Sequence, residues 1–78
     1  MKLEYIGLSE MEGSLIYLDG VSGIGYDEMA EISLENGEKR YGRVIMLDGS
    51  RAVLQVFEGT KGISLENART NFTGHPME

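Results

Sequence analysis

Met29-Ala30-Glu31-Ile32-Ser33-Leu34, then Lys39-Arg40-Tyr41-Gly42-Arg43-Val44-Ile45-Met46-Leu47, then Arg51-Ala52-Val53-Leu54-Gln55-Val56-Phe57 decide the fold. They are separated by Glu35-Asn36-Gly37-Glu38 and by Asp48-Gly49-Ser50. Each run alternates apolar and polar residues with the period of a half-buried strand. A two-residue turn at Asn36-Gly37 would pair Leu34 with Lys39 and Ala30 with Arg43, mixing apolar and charged side chains on one face. A loop with an odd number of residues instead collects Ala30, Ile32, Leu34, Gly42, Val44 and Met46 on one side. Glu31, Ser33, Lys39, Tyr41 and Arg43 fall on the other. An odd loop at Asp48-Gly49-Ser50 likewise sets Met46, Val44 and Gly42 against Ala52, Leu54 and Val56. A one-residue slip would turn the whole apolar set to solvent, so the pattern fixes the register. Gly42, in mid-strand, suits the bend that a small barrel needs. Arg40 breaks the pattern and belongs near a barrel mouth, while Ile45 and Val53 are left on the outer face, where they need cover.

Working outward, further strands are expected over residues 4–8, 13–18 and 70–73, in addition to 29–34, 39–47 and 51–57. Residues 26–31 are ambiguous, because Asp27 could cap a single helical turn before the strand. Six short strands separated by turn signals predict an all-β fold, a small closed six-stranded antiparallel barrel. The assigned domain is residues 1–74, with 75–78 as the start of a linker.

Seventy-eight residues make one domain. A chain of this size buries only about 60–65% of its unfolded surface, so its stability margin is thin. There is no cysteine and one histidine, His75, which excludes a Cys/His zinc site within one copy. No apolar stretch approaches the roughly 20 residues needed to span a bilayer, and the first residues do not read as a signal peptide. The Asn71-Phe72-Thr73 sequon is therefore expected to be unused. The net charge is −6 and uneven: residues 1–38 hold nine acids against Lys2, and residues 39–78 hold six bases against four acids. An acidic balance weighs against nucleic acid as a partner. Complementary charges carried by strands of one sheet account for the asymmetry better than attraction between separate chains.

Motifs for chemistry are incomplete. Gly20-Val21-Ser22-Gly23-Ile24-Gly25 and Gly59-Thr60-Lys61-Gly62 fit neither the P-loop nor the dinucleotide fingerprint, and read as turns. Glu31, Glu35 and Glu38 lie on or beside one hairpin but face Lys39, Arg40 and Arg43, so charge pairing explains them better than acid–base work. Asp19, Asp27 and Glu28 lack EF-hand spacing. His75 is a turn residue with no nucleophile nearby. The four tyrosines (Tyr5, Tyr17, Tyr26, Tyr41) suit barrel-wall or interface packing better than base stacking. No catalytic, cofactor-binding or metal residue is assigned.

Three segments carry a resemblance that spans nearly the whole chain. Gly20-Val21-Ser22-Gly23-Ile24-Gly25-Tyr26 resembles a Gly-Val-x-Gly-Val-x-Tyr segment, and Asn36-Gly37-Glu38-Lys39-Arg40-Tyr41-Gly42-Arg43-Val44 an Asp/Asn-Gly-Glu-x-Arg-x-Gly-Gln-Val hairpin. Arg51-Ala52-Val53-Leu54-Gln55-Val56-Phe57-Glu58-Gly59-Thr60, with Gly62-Ile63, is the most specific stretch. Together they are similar to the N-terminal β-barrel of the B subunit of V-type and archaeal-type rotary ATPases. Glu58-Gly59-Thr60 matches the B subunit better than the catalytic A subunit. Ser14 departs from the usual proline, and Thr70-Asn71 from the common Val-Arg. The resemblance implies a crown barrel in a ring of alternating A and B subunits, part of a soluble head peripheral to the membrane. The ring would hold together during ATP-coupled proton or sodium transport, with A subunits as partners and a nucleotide-binding domain following the linker. None of the family's nucleotide-contacting residues falls in this stretch, so no cofactor and no catalysis are expected here. The isolated domain is expected to be a monomer or weak oligomer. The candidate subunit interface is Ile45, Val53, Glu31, Arg43 and Tyr41. An autonomous barrel that binds a peptide or single-stranded nucleic acid is the alternative.

Overall fold

Residues 29–57 form two consecutive antiparallel hairpins at the centre of one sheet, and the rest of the chain wraps them. A computed structural model describes residues 4–76, with side chains through Thr73. Seven strands follow in order: β1 Glu4–Ile6, β2 Glu10–Glu12, β3 Leu15–Leu18, β4 Glu28–Ser33, β5 Lys39–Asp48, β6 Arg51–Val56 and β7 Arg69–Pro76. All neighbours are antiparallel and the pairing order is β1-β7-β4-β5-β6-β3-β2.

The count is seven and not six because the first strand is longer than its alternation suggested and is broken in the middle. β1 and β2 stand at opposite ends of the pairing order, yet only Gly7, Leu8 and Ser9 separate them in the chain. As one bent segment, residues 4–12 pair with β7 through their first part and with β3 through their last. The barrel therefore closes through this bend and not through an unbroken ladder. Gly7 sits at the bend with φ +82°, where a Cβ would lie 3.2 Å from the Glu66 carbonyl oxygen, so both backbone and space call for glycine. The closing strand is also longer than expected, and His75 and Pro76 of the assigned linker form its last backbone positions. Met77 and Glu78 lie outside the described residues.

The first hairpin follows the expected register. Ser33 pairs with Lys39, Ile32 with Arg40 and Ala30 with Gly42 across an odd loop, and Leu34 N–H donates to Glu38 O at 2.8 Å. The second hairpin corrects its expectation near the turn. Asp48 pairs with Arg51 across a two-residue turn, Gly49-Ser50, and Met46 pairs with Val53. Farther from the turn, Val44 pairs with Leu54 and Gly42 with Val56, as the apolar pattern requires. The difference is absorbed by a β-bulge at Ile45, one extra residue in β5. Met46 consequently points outward and is 55% exposed, whereas Leu47 packs against the core in its place. The single helical turn considered for residues 26–31 is also absent. Asp27 occupies a turn at φ +61°, and β4 begins at Glu28. Asp27 N–H donates to Val44 O, while Gly25 N–H donates to Glu28 Oε1, fixing the turn by two contacts outside any helix.

The core follows the inward rows. Met11, Ile16, Leu54 and Val44 stand across four strands, and Val56, Gly42, Ala30 and Phe72 across the next. Ile16, Ile32, Val44 and Leu54 have no accessible surface. At roughly 1.5–3 kcal/mol for each fully buried large aliphatic side chain, this set dominates the favourable side of folding. Gly42 is fixed by close approach: a Cβ there would come 2.5 Å from the Gln55 carbonyl oxygen. One polar group is out of place in this core. Thr70 is fully buried and its hydroxyl has no hydrogen-bond partner among the described residues.

Candidate interface site

The outer face of β4 and β5 gathers three of the five candidate interface residues. Glu31 pairs directly with Tyr41 across the ladder, and Arg43 lies two residues farther along β5. Lys39 Nζ donates to Glu31 Oε1 at 3.0 Å, and Tyr41 Oη lies 3.5 Å from Glu31 Oε2. Arg43 Nη1 donates to Asp27 Oδ1 at 2.6 Å, and Arg40 Nη1 to Glu38 Oε2 at 2.9 Å. On the outer face two cations thus meet two carboxylates, while Arg40, opposite Ile32, pairs with Glu38 on the core side and keeps an Nε without a hydrogen bond among the described residues. Such exposed pairs contribute at most about 1 kcal/mol each, but they leave no charge on this face in need of a partner. Hydrogen bonding from Arg40 and then Asn36 holds the Glu38 carboxyl below its ordinary value, and Glu31 raises Lys39.

The other two candidates lie along β5 and β6. Val53 does point outward, but it is only 7% exposed. It pairs with Met46 on one side and Tyr17 on the other, so this chain covers it. Arg51 completes the cover, its guanidinium carbon 5.0 Å from the centre of the Tyr17 ring. Ile45 is half-buried at the bulge.

Exposed apolar side chains occur at several places, among them Tyr26, Met46, and Tyr41 beside Phe57, but one pair of aliphatic residues borders a groove. At the barrel seam, Ile6 is 66% exposed and Leu65 44% exposed. They border an open groove of about 460 Å³ whose lining includes Leu8, Leu18, Asp19 and Glu66. Gly7 N–H donates to Ala68 O at 2.8 Å and Leu8 N–H to Leu65 O at 2.7 Å, which ties the bend to residues 64–68 and forms the wall of the groove. Charge here is not balanced. Arg51 is shared by Glu10 at 3.4 Å and Asp19 at 3.2 Å, the latter without a hydrogen bond on its Nε. Arg69 reaches Glu4 at only 3.9 Å, and Glu66 has no ion pair among the described residues. Among the described residues, four carboxylates thus stand against two guanidiniums. The sequence held the signal: with Tyr5 facing inward against Phe72, alternation puts Ile6 outside, an apolar remainder of the same kind as Ile45 and Val53.

The glycine-rich segments serve as turns. Gly59 N–H donates to Val56 O and Ile63 N–H to Thr60 O, while Ile63 anchors the return in the core. Thr60 Oγ1 donates to Gly13 O at 2.6 Å, so the Glu58-Gly59-Thr60 signature staples this turn to the turn before β3. A second open groove, about 520 Å³, lies beside the first hairpin, where Asn67 Nδ2 donates to Glu35 Oε1. Asn67 and then Ser64 lower the Glu35 carboxyl. Among the described residues, no three His, Cys, Asp or Glu side chains converge as metal ligands, and no helix is long and apolar enough to cross a membrane.

Comparison with known proteins accounts for this design. The profile of the β-barrel domain of the ATP synthase alpha/beta family matches residues 8–74. The chain is 49% identical over all 78 residues to a V-type ATP synthase beta chain 2 of Clostridium tetani, of which it covers 17%. It is 51% identical over 75 residues, 96% of the chain, to the V-type ATP synthase beta chain of Thermotoga neapolitana, and 47% identical over the same length to that of Halothermothrix orenii; it covers 16% of each. The chain therefore spans about one-sixth of the length of these relatives. With seven antiparallel strands closed through a bend and no constellation of reactive groups among the described residues, it belongs to the ATP synthase alpha/beta family as its β-barrel domain.

Proposed function

We propose that this barrel is the N-terminal crown module of the non-catalytic B subunit of a V-type rotary ATPase or ATP synthase. It packs beside A-subunit barrels in the soluble head, peripheral to the membrane, and keeps the alternating ring together while ATP turnover and proton or sodium transport proceed elsewhere. The observation that carries this reading is the 49% identity to a V-type ATP synthase beta chain over the full 78 residues. The geometry is consistent with a docking part: the interior is filled by apolar side chains and the signature turn holds the fold closed instead of presenting a reactive group.

The test is to mix the purified chain with the N-terminal barrel of a V-type A subunit and follow complex formation by native mass spectrometry, with ATP turnover of the chain measured alone. The expected outcome is an A–B barrel complex and no turnover above background. Failure to associate, or turnover by the 78-residue chain, overturns the proposal.

A further inference from the structure

We infer that the seam groove, and not the ion-paired face of β4 and β5, receives one of the two neighbouring barrels in the ring, and that the neighbour inserts an apolar side chain flanked by a lysine or arginine. This rests on the crown reading above and adds to it the face and the chemistry of the contact.

Three observations point to the same place. The first is exposed apolar surface: Ile6 is the most exposed large hydrophobic residue among those described, and Leu65, also exposed, lines the same groove. Apolar residues concentrated at one concave site are the usual mark of a binding surface, unlike single ones scattered over a surface. The second is charge. Asp19 and Glu66 line the groove, no cation among the described residues does, and the nearby guanidiniums of Arg51 and Arg69 are already engaged by Glu4, Glu10 and Asp19. Among the described residues the lining is therefore acidic, so the complementary occupant is cationic beside its apolar contact. The third is the contrast with the β4–β5 face. There Lys39 and Arg43, the two cations of the outer face, each have a carboxylate at 3.0 Å or less, and docking would have to desolvate completed pairs.

Backbone geometry adds rigidity. The groove wall is the bent segment 4–12, fixed by Gly7 and by two backbone hydrogen bonds of 2.7 and 2.8 Å to residues 64–68. A preformed concave wall loses less conformational freedom on binding than a loop would.

The experiment measures association of the chain with a V-type A-subunit barrel by isothermal titration, at low and high salt. Ile6→Arg and Leu65→Arg are each expected to weaken binding more than tenfold, and Glu66→Lys several-fold at low salt with a flatter salt dependence. Tyr41→Ala and Arg43→Ala are expected to change it less than twofold. Thermal unfolding of each variant should match the parent, because these side chains are exposed. If Ile6→Arg shifts the unfolding midpoint, Ile6→Ser takes its place with the same expectation. Parent-like binding by the Ile6 and Leu65 variants, or a larger loss from Tyr41→Ala, overturns the inference and leaves the crown reading intact. Failure of the unmodified chain to bind overturns the crown reading, and this inference with it.

Discussion

The first hairpin and the seam are built from similar residues and end in opposite conditions. On the hairpin, Lys39, Arg40 and Arg43 face Glu31, Glu38 and Asp27, and the surface is electrically complete. At the seam, Glu4, Glu10 and Asp19 share two arginines, Glu66 has no ion pair among the described residues, and Ile6 and Leu65 stand in water beside a groove. Proximity in sequence explains the difference. The hairpin's charges lie within residues 27–43, on or beside two adjacent strands, so local geometry brings each pair together. The seam is assembled from both ends of the chain, where no single register governs the outer face. On the inference drawn above, surface left unsatisfied by folding is where a neighbouring barrel would dock.

That contrast can be broken most forcefully from inside the hairpins. Gly42→Ala would drive a Cβ to 2.5 Å from the Gln55 carbonyl oxygen, and backbone cannot yield as a side chain does. A loss of about 3 kcal/mol is expected, at the upper end for overpacking. Against the thin margin of a 78-residue domain this should show in urea unfolding as a chain largely unfolded at 25 °C. If Gly42→Ala unfolds at the parental midpoint, β5 and β6 are not held at this spacing.

Thr70 offers the opposite sign on the seam side. It lies between Tyr5 of β1 and Ile32 of β4, fully buried with an orphaned hydroxyl. Removing an unpaired buried hydroxyl while keeping the shape should stabilise by about 1–2 kcal/mol, so Thr70→Val is expected to raise the unfolding midpoint by about 4–8 °C per kcal/mol. An unchanged or lower midpoint would mean that the hydroxyl finds a partner in solution. The sequence resemblance anticipates this substitution, since valine is common where Thr70 stands. Thr60→Val removes the 2.6 Å staple to Gly13 O and should cost about 1 kcal/mol, read as a lower urea midpoint. Because the staple joins two turns, the loss should appear as well in faster amide exchange at Val56, whose N–H donates to Ser14 O.

How much of this was legible follows from where each constraint is written. Ala30, Ile32, Val44, Leu54 and Val56 all lie inside as alternation required, because their register is set by a face that cannot turn to water without losing the core. Met46 and Leu47 are adjacent and both apolar, so alternation alone could not say which faces in; the tight Gly49-Ser50 turn and the bulge at Ile45 decide it together. β2 escaped notice because Glu10-Met11-Glu12 is short and only Met11 turns inward. The positive φ of Asp27 was hidden by its ambiguity as a helix cap, since the same side chain serves both. Among the candidate interface residues, exposure of Tyr41 and Arg43 was readable from parity. The charge balance that makes their face self-sufficient was readable only in part, from hairpin neighbours. The seam required three distant segments, residues 4–10, 18–19 and 64–69, to be placed together.

Smaller effects sharpen the comparison. Ile6→Ser should change the free energy of unfolding by no more than about 0.5 kcal/mol, because a side chain two-thirds exposed has little burial to lose. A drop above 1 kcal/mol would mean that Ile6 packs within the chain and is not held out for a partner. The smallest effect is in pH, and it belongs to the hairpin region. Glu38 and Glu35 have folded values below the ordinary 4.5, the first through Arg40 and Asn36, the second through Asn67 and Ser64. Their stabilisation is present above pH 4.5 and is lost as pH falls through the lowered values. Lys39 is raised above 10.5 by Glu31, so its contribution holds below 10.5 and is lost as pH rises through the raised value. All three groups are exposed, so the slopes are shallow and weaken further with salt. The Glu38→Gln and Glu35→Gln variants should flatten the acid limb of the stability profile, and Glu31→Gln the alkaline limb. If Glu66→Gln flattens the acid limb as much as Glu38→Gln does, the seam's charges are coupled to folding, and the distinction between a completed surface and a waiting one fails.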